Sequence, residues 1–400
     1  HLVCVCSWDM AKLILDARPY KVRRTLTVQR FAAEVDGVLL AEGPKWRRHR
    51  QLVAPAFHSK VMPNYVPTVK YIVGKFVEHL KAQDGCNVNM SILLPRLTSS
   101  ILVSILSGEM VEAFKDASLE HAPLVSQVKR VFAAIMTRLH APFQYWKLPF
   151  LSRWLPHCQD FKLMNSLIED MIDKTMAKGS SGTTLLDKLA DAHEGDKLSK
   201  DELIGNVSTL FAAGTDTTSA TLTWAFYQLS LDPALQDELA REAQAVIPNG
   251  WDTLEQLEEL TLAKAVWLET LRLFAPFPLL GLHLNAELEV NGRRLTAGTE
   301  VMLLLRSILN TSEEVLALGF DVDVWRPQRW LDGEGGFKAL RKVPIADLCF
   351  GHGARKCIGK TLAQMNGIST IAEVCRQCKI GKHGPPVREI LNFGVTVEPD

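Results

Sequence analysis

Neither sign of charge predominates in this chain of 400 residues: lysine plus arginine and aspartate plus glutamate number 45 each. Without a whole-protein field, bulk attraction to nucleic acid or to an anionic membrane is excluded as the basis of function. Disulfide scaffolds are excluded as well. The eight cysteines, at 4, 6, 86, 158, 349, 357, 375 and 378, are too sparse and too unevenly spread, and they fit a reducing compartment. No run of about 18 uncharged apolar residues is present, so the sequence offers no bilayer span and reads as soluble. An internal repeat, a low-complexity linker and the glycine fingerprint of a nucleotide-binding or flavin domain are also lacking. The first residue is His1, and a strand-like stretch, HLVCVCSW, follows at once. The natural N-terminus, with any anchor or transit peptide, is therefore expected to be missing.

What is present is apolar and mostly helical. Hydrophobic residues make up 47% of the chain, enough for a sizeable core. From about residue 45 to 245, segments such as MPNYVPTVKYIVGKFVEHLKA and FKLMNSLIEDMIDKTMAK repeat apolar residues three and four apart. After Pro276 the period switches, and Asn291-Gly292 stands as a hairpin turn between extended segments. The expectation is a mainly α protein with a small β region, residues 1–400 forming a single large domain. One aromatic- and proline-rich stretch, 138–158, lacks helical period and reads either as a lid or as an ordinary packed loop.

The best-delimited element runs from Ser199 towards Pro233. Ser199 and Glu202 have the spacing of a capping box, and the predicted helix of about 30 residues would be roughly 45 Å long. In its middle stand Gly214, Thr215, Thr217, Thr218 and Ser219 around Asp216, all poor helix formers. A rule broken inside a core helix points to function, with a threonine-rich kink as the plain alternative.

FGHGARKCIGK, residues 350–360, surrounds one cysteine with glycine and positive charge. A thiol is a good metal ligand only as thiolate, and its pKa falls beside cations and at a helix N-terminus. Cys357 has Arg355 and Lys356 next to it, and Ile358, Leu362 and Met365 follow at helical spacing, which would set the cysteine just before a helix, at the positive end of its dipole. Gly351, Gly353 and Gly359 would let backbone approach a large planar ligand. A lone cysteine cannot close a structural zinc site, so a cofactor bringing its own ligands, haem, fits better. Two other readings stand beside it: a buried cysteine acting as a small hydrophobe, and a zinc site built from Cys4, Cys6, Cys375 and Cys378. His352 reads as a loop residue rather than an iron ligand.

The string Phe350-Gly351-His352-Gly353-Ala354-Arg355-Lys356-Cys357-Ile358-Gly359 resembles the haem-binding signature of the cytochrome P-450 monooxygenases. Further stretches resemble that family in the same order. Ala213-Gly214-Thr215-Asp216-Thr217-Thr218 is similar to its oxygen-activation segment, which implies that Thr217 and Asp216 are catalytic, handling protons, and that Gly214 leaves room for a diatomic ligand beside Ala213. Glu269 and Arg272 in LETLR, with Arg329 in RPQRW, resemble its structural triad. Trp46 and Arg50 in WRRHR resemble the pair that binds one haem propionate, Arg355 serving the other. Arg47 and Arg48 read as a solvated face or a redox-partner surface. Near position 282, where many members carry a propionate-binding arginine, this chain has Leu282 and then His283, and His283 is the candidate substitute.

The resemblance implies haem b (iron protoporphyrin IX) held by the metal ligand Cys357, dioxygen as co-substrate, and NADPH electrons through a separate reductase or ferredoxin. It implies an apolar small-molecule substrate such as a fatty acid, sterol or carotenoid, no nucleic acid, and membrane association of the full-length protein in endoplasmic reticulum, plastid or mitochondrion. Two rivals stand: a haem-thiolate enzyme rearranging peroxides without external electrons, which the Asp216-Thr217 pair disfavours, and a non-enzymatic haem or zinc module.

Overall fold

In a computed structural model, the structure describes residues 1–32, 37–111, 130–131, 134, 137–138, 141, 143–148, 150, 154–178, 182–190, 198–311, 316, 321–332, 348–382, 389–392 and 396–399. Of the 138–158 stretch, 139–140, 142, 149 and 151–153 lie outside them; the described part holds one 3-10 turn, Tyr145–Lys147, and from Pro156 a helix, with Trp146 buried and Phe143, Phe150 and Trp154 exposed.

In chain order the elements are β1 (Leu2–Val5), α1 (Trp8–Asp16), β2 (Val22–Arg24), α2 (Leu26–Ala32), α3 (Gly43–Val53), α4 (Val66–Ala82) and α5 (Met90–Ser107). Then come α6 (Pro156–Ala177), α7 (Leu185–Ala190), α8 (Lys200–Leu231), α9 (Pro233–Val246), α10 (Leu254–Glu259) and α11 (Thr261–Leu273). Strands β3 (Leu280–Leu284), β4 (Leu288–Val290), β5 (Arg293–Leu295) and β6 (Glu300–Leu303) precede α12 (Leu305–Thr311), α13 (Lys360–Gln377), β7 (Glu389–Asn392) and β8 (Thr396–Pro399). The mainly α class with a small β region is what the sequence predicts. The chain divides into two compact units, one of His1–Thr25, Val69–Leu94 and Thr217–Asp400, the other of Leu26–Thr68 and Pro95–Asp216.

In the first unit a four-stranded sheet runs in the order β1-β6-β3-β2, with β1 parallel to β6 and the other pairs antiparallel. Alternation sends Leu282 and Leu284 of β3 into a core with Val5, Ala11, Ile14, Val22, Val301 and Leu303, and leaves Gly281 and His283 on the opposite face. The Asn291-Gly292 turn joins β4 to β5 with φ of 49° and 71°, the left-handed pair that a two-residue hairpin requires. Helix α13 packs on α9 and α11. It lies so close to α11 that a Cβ at Gly367 would fall 2.3 Å from ring carbons of Trp267, whose side chain is fully buried.

In the second unit the start of α8 is capped as its sequence predicts. Glu202 N–H donates to Ser199 Oγ at 3.2 Å, and Ser199 N–H donates to Glu202 Oε2 at 2.9 Å. The helix has 32 residues, and its hydroxyl-rich centre stays helical throughout. Helix α5 corrects one expectation: by length and composition Met90–Ser107 is apolar enough to cross a membrane, although 72% of it is buried within the protein, as a core helix would be.

Candidate active site

The loop before α13 is closed by its own backbone. Gly351 N–H donates to Leu348 O at 2.8 Å, Cys357 N–H to Phe350 O at 2.7 Å, and Lys356 N–H to Gly353 O at 3.2 Å. Gly351 and Gly353 have φ of 78° and 69°, which a side chain would strain. Gly353 also sits against α1, where a Cβ would approach Leu15 O to 3.2 Å. At the end of this loop Cys357 is exposed, with Lys356 exposed and Arg355 half-buried beside it.

The helix begins at Lys360 with Gly359 as its N-cap, so Cys357 lies just ahead of the helix N-terminus, where the sequence places it. Gly359 has an ordinary φ of −84°, and among the described residues no atom beyond its chain neighbours lies within 4 Å of where a Cβ would be.

In the second unit α3 carries Trp46, buried, and Arg50, half-buried, one turn apart. Between them the structure corrects the reading of Arg48. Its Nη1 donates to Glu202 Oε1 at 2.7 Å, and His49, wholly buried, lies between Glu202 Oε1 and Asn206 Nδ2, each 3.3 Å from the ring. Asn206 Nδ2 also donates to Glu202 O at 2.7 Å, and its Oδ1 accepts from Val38 N–H at 2.9 Å. Arg48 therefore ties α3 to the start of α8 and does not belong to a solvated face; Arg47 is exposed.

The Arg48 guanidinium, more than any other group, holds the Glu202 carboxyl down at about 2, with the Ser199 N–H and His49 adding to it against the cost of burial. A depressed carboxyl contributes stability above its unfolded value, and that contribution disappears as pH falls from about 4.5 to about 2. Glu202→Gln is therefore expected to lower the thermal midpoint by about 2 °C at pH 7. The gap to the parent should close across that acid window. Melting curves across pH check it, and a pH-independent gap would contradict the assignment.

On α8, Ala213, Gly214 and Thr217 are half-buried and Asp216 is buried. Thr217 O accepts the Thr221 hydroxyl at 2.9 Å and Ser219 O the Thr223 hydroxyl at 2.8 Å, back-bonds that satisfy hydroxyls inside a helix, whereas the buried Thr215 Oγ1 has no hydrogen-bond partner among the described residues. Gly214 has a packing reason that the sequence did not show: a Cβ there would come 2.9 Å from Leu102 Cδ1 of α5. The two units divide between Asp216 and Thr217.

Glu269, Arg272 and Arg329 are brought together and buried, as predicted. Glu269 Oε1 accepts from Arg272 Nη2 at 2.9 Å, Arg329 Nε at 2.8 Å and Arg326 N–H at 2.9 Å. Its Oε2 accepts from Arg272 Nε and Trp330 Nε1, each at 2.9 Å. Arg272 Nη1 reaches Asn310 Oδ1 at 2.6 Å. Trp330 and Asn310 were missed; the aromatic closing RPQRW was the available signal for the first, and nothing local marked the second. His283 Nδ1 lies 2.9 Å from Glu300 Oε1 on the neighbouring strand, so this candidate already has a carboxylate partner.

Among the described residues no cluster of three or more His, Cys, Asp or Glu could hold a metal ion, which removes the four-thiolate zinc reading. An exposed single sulfur with no protein co-ligands fits a metal that arrives in its own ring.

The model of the family described as Cytochrome P-450 matches residues 1–397. Cytochrome P-450 4d2 of Drosophila melanogaster is 26% identical, over 90% of this chain and 75% of the relative. The mitochondrial 1,25-dihydroxyvitamin D(3) 24-hydroxylase of Mus musculus is 26% identical, over 96% and 73%. The chloroplastic protein LUTEIN DEFICIENT 5 of Arabidopsis thaliana is 27% identical, over 90% and 62%.

Proposed function

As a member of the cytochrome P-450 family the chain is a haem-dependent monooxygenase, and we propose that it hydroxylates a lipid-like substrate with electrons passed from NADPH by a separate redox protein. The exposed sulfur of Cys357, held by a closed backbone loop at the head of α13, is the observation that carries the assignment to this chain. Residues 1–400 are read as one haem domain, since the family match runs through both compact units.

When bound, haem supplies the dioxygen chemistry, in which one oxygen atom enters the substrate and the other leaves as water. The chain's own part is to hold and to protonate. Cys357 would be the metal ligand, with Phe350, Gly351 and Gly353 shaping its loop. Trp46 and Arg50 would take one propionate and Arg355 the other, a task that suits arginine's planar fork, and His283, paired with Glu300, is the candidate substitute for a further propionate-binding arginine. Asp216, a carboxyl on a buried stretch of helix, and Thr217, one residue on, would hold and deliver protons. A sterol-like or carotenoid-like substrate is favoured by the relatives' names, one a vitamin D hydroxylase and one referring to lutein.

The test is isotopic. With reductase, NADPH and heavy-isotope dioxygen, the protein is expected to place a single labelled oxygen in a sterol, fatty acid or carotenoid substrate. Turnover of an organic hydroperoxide alone, with no label gained and no need for NADPH, would replace this reading with that of a peroxide-rearranging enzyme.

A further inference from the structure

His352, a loop residue without a role in the reading above, is engaged on both sides. Its Nε2 stands 3.0 Å from Asp16 Oδ1, and its ring meets the ring of Trp8 edge-on, 5.4 Å between centroids at 86°. Both partners belong to α1, Trp8 its first residue and Asp16 its last. The next residue, Gly353, is pressed against the same helix end, with its Cβ direction 3.2 Å from Leu15 O and 3.5 Å from Asp16 Oδ1.

Asp16 is out of place for α1 itself. A carboxylate at a helix C-terminus faces the negative end of the dipole, and α1 has no basic residue in its last turn to offset it. Lys12, one turn back, holds Oδ2 at 3.0 Å, which leaves Oδ1 for the loop. Trp8 is nearly buried and so gives a fixed surface for the histidine ring. The cysteine lies at the other end of the same loop, closed onto Phe350 by the Cys357 N–H bond. A shift of His352 and Gly353 would travel through few free torsions to the sulfur.

Resting on the haem-thiolate reading, we propose that Asp16 and Trp8 are positioning residues that clamp His352, and through it fix the Cys357 sulfur for the metal. The exposed part of such an ion pair contributes little to global stability. Its effect is local, as with other groups that orient a metal ligand from outside the coordination sphere, whose loss costs about 10–100-fold.

The experiment follows the reduced carbon monoxide complex of the haem-loaded protein in dilute urea, where the long-wavelength band of a thiolate ligand gives way to the shorter-wavelength band of a thiol. His352→Ala and Asp16→Asn are each expected to convert about tenfold faster than the parent, and the double variant no faster than either alone. The far-UV circular dichroism midpoint should stay within error of the parent's. Lys12→Ala, which touches only the outer carboxylate oxygen, should convert at the parent's rate. Parent-like conversion in the two variants, or acceleration only in step with lost helix signal, would overturn the clamp alone. A parent without the long-wavelength band would overturn the haem-thiolate reading and the clamp with it.

Discussion

Replacing Cys357 with serine is expected to abolish the thiolate-type spectrum of the protein and to take turnover below detection. A thiol of ordinary pKa about 8.5 becomes a thiolate readily beside cations and ahead of a helix N-terminus, whereas a hydroxyl in the same place keeps its proton. No other cysteine in the described chain is set up to take over. Burial pushes the Cys375 thiol up to about 12, and burial likewise raises Cys378, only partly offset by Lys81. Cys158 is buried and Cys349 half-buried; Cys4 lies within β1, and Cys6 and Cys86, exposed ahead of α1 and α5, have no adjacent lysine or arginine. Absorption spectra of the reduced carbon monoxide complexes of parent and variant, with iron per chain measured alongside, decide it. A variant with the parent's band would transfer the ligand to another cysteine, Cys349 being the nearest in sequence.

Glu269→Ala is expected to leave little folded protein at 37 °C. The substitution strips the acceptor from two buried arginines, the Trp330 indole N–H and the Arg326 amide. Breaking a buried pair by removing one partner costs about 3–5 kcal/mol, because the charges left behind stay desolvated. Here one anion faces two cations, so the upper end of that range applies. Against a total stability of about 5–15 kcal/mol the loss is severe. Glu269→Gln keeps the shape but turns one acceptor into a donor aimed at a guanidinium, and should fall between. Urea midpoints by circular dichroism test both, and a parent-like midpoint for the alanine variant would show that the triad does not hold the fold.

What the sequence disclosed was whatever depends on near neighbours. The Ser199–Glu202 box, the Asn291-Gly292 turn and the Glu269–Arg272 pair each involve residues within three positions, and each is where its spacing places it. The cysteine loop was legible because glycines, cations and a following helical period crowd into a dozen residues. Partners from afar were not. A charged residue on a helix reads alike whether it faces water or a carboxylate, so Arg48 gave no sign of Glu202, 154 positions on. Gly214 gave no sign of Leu102, nor His352 of Asp16, because a side chain's absence or a ring's presence does not say what fills the space opposite.

The contact between Gly367 and Trp267 limits how this sequence can drift. With ring carbons 2.3 Å from where a Cβ would sit, no side chain can enter position 367 while the indole remains. A smaller residue at 267, arriving first, would open a void in the centre of the unit. The two positions can change only as a pair. Descendants of this chain could exchange most of their surface and yet keep both residues, one on the helix that the cysteine loop leads into and one on the helix of the Glu269–Arg272 pair.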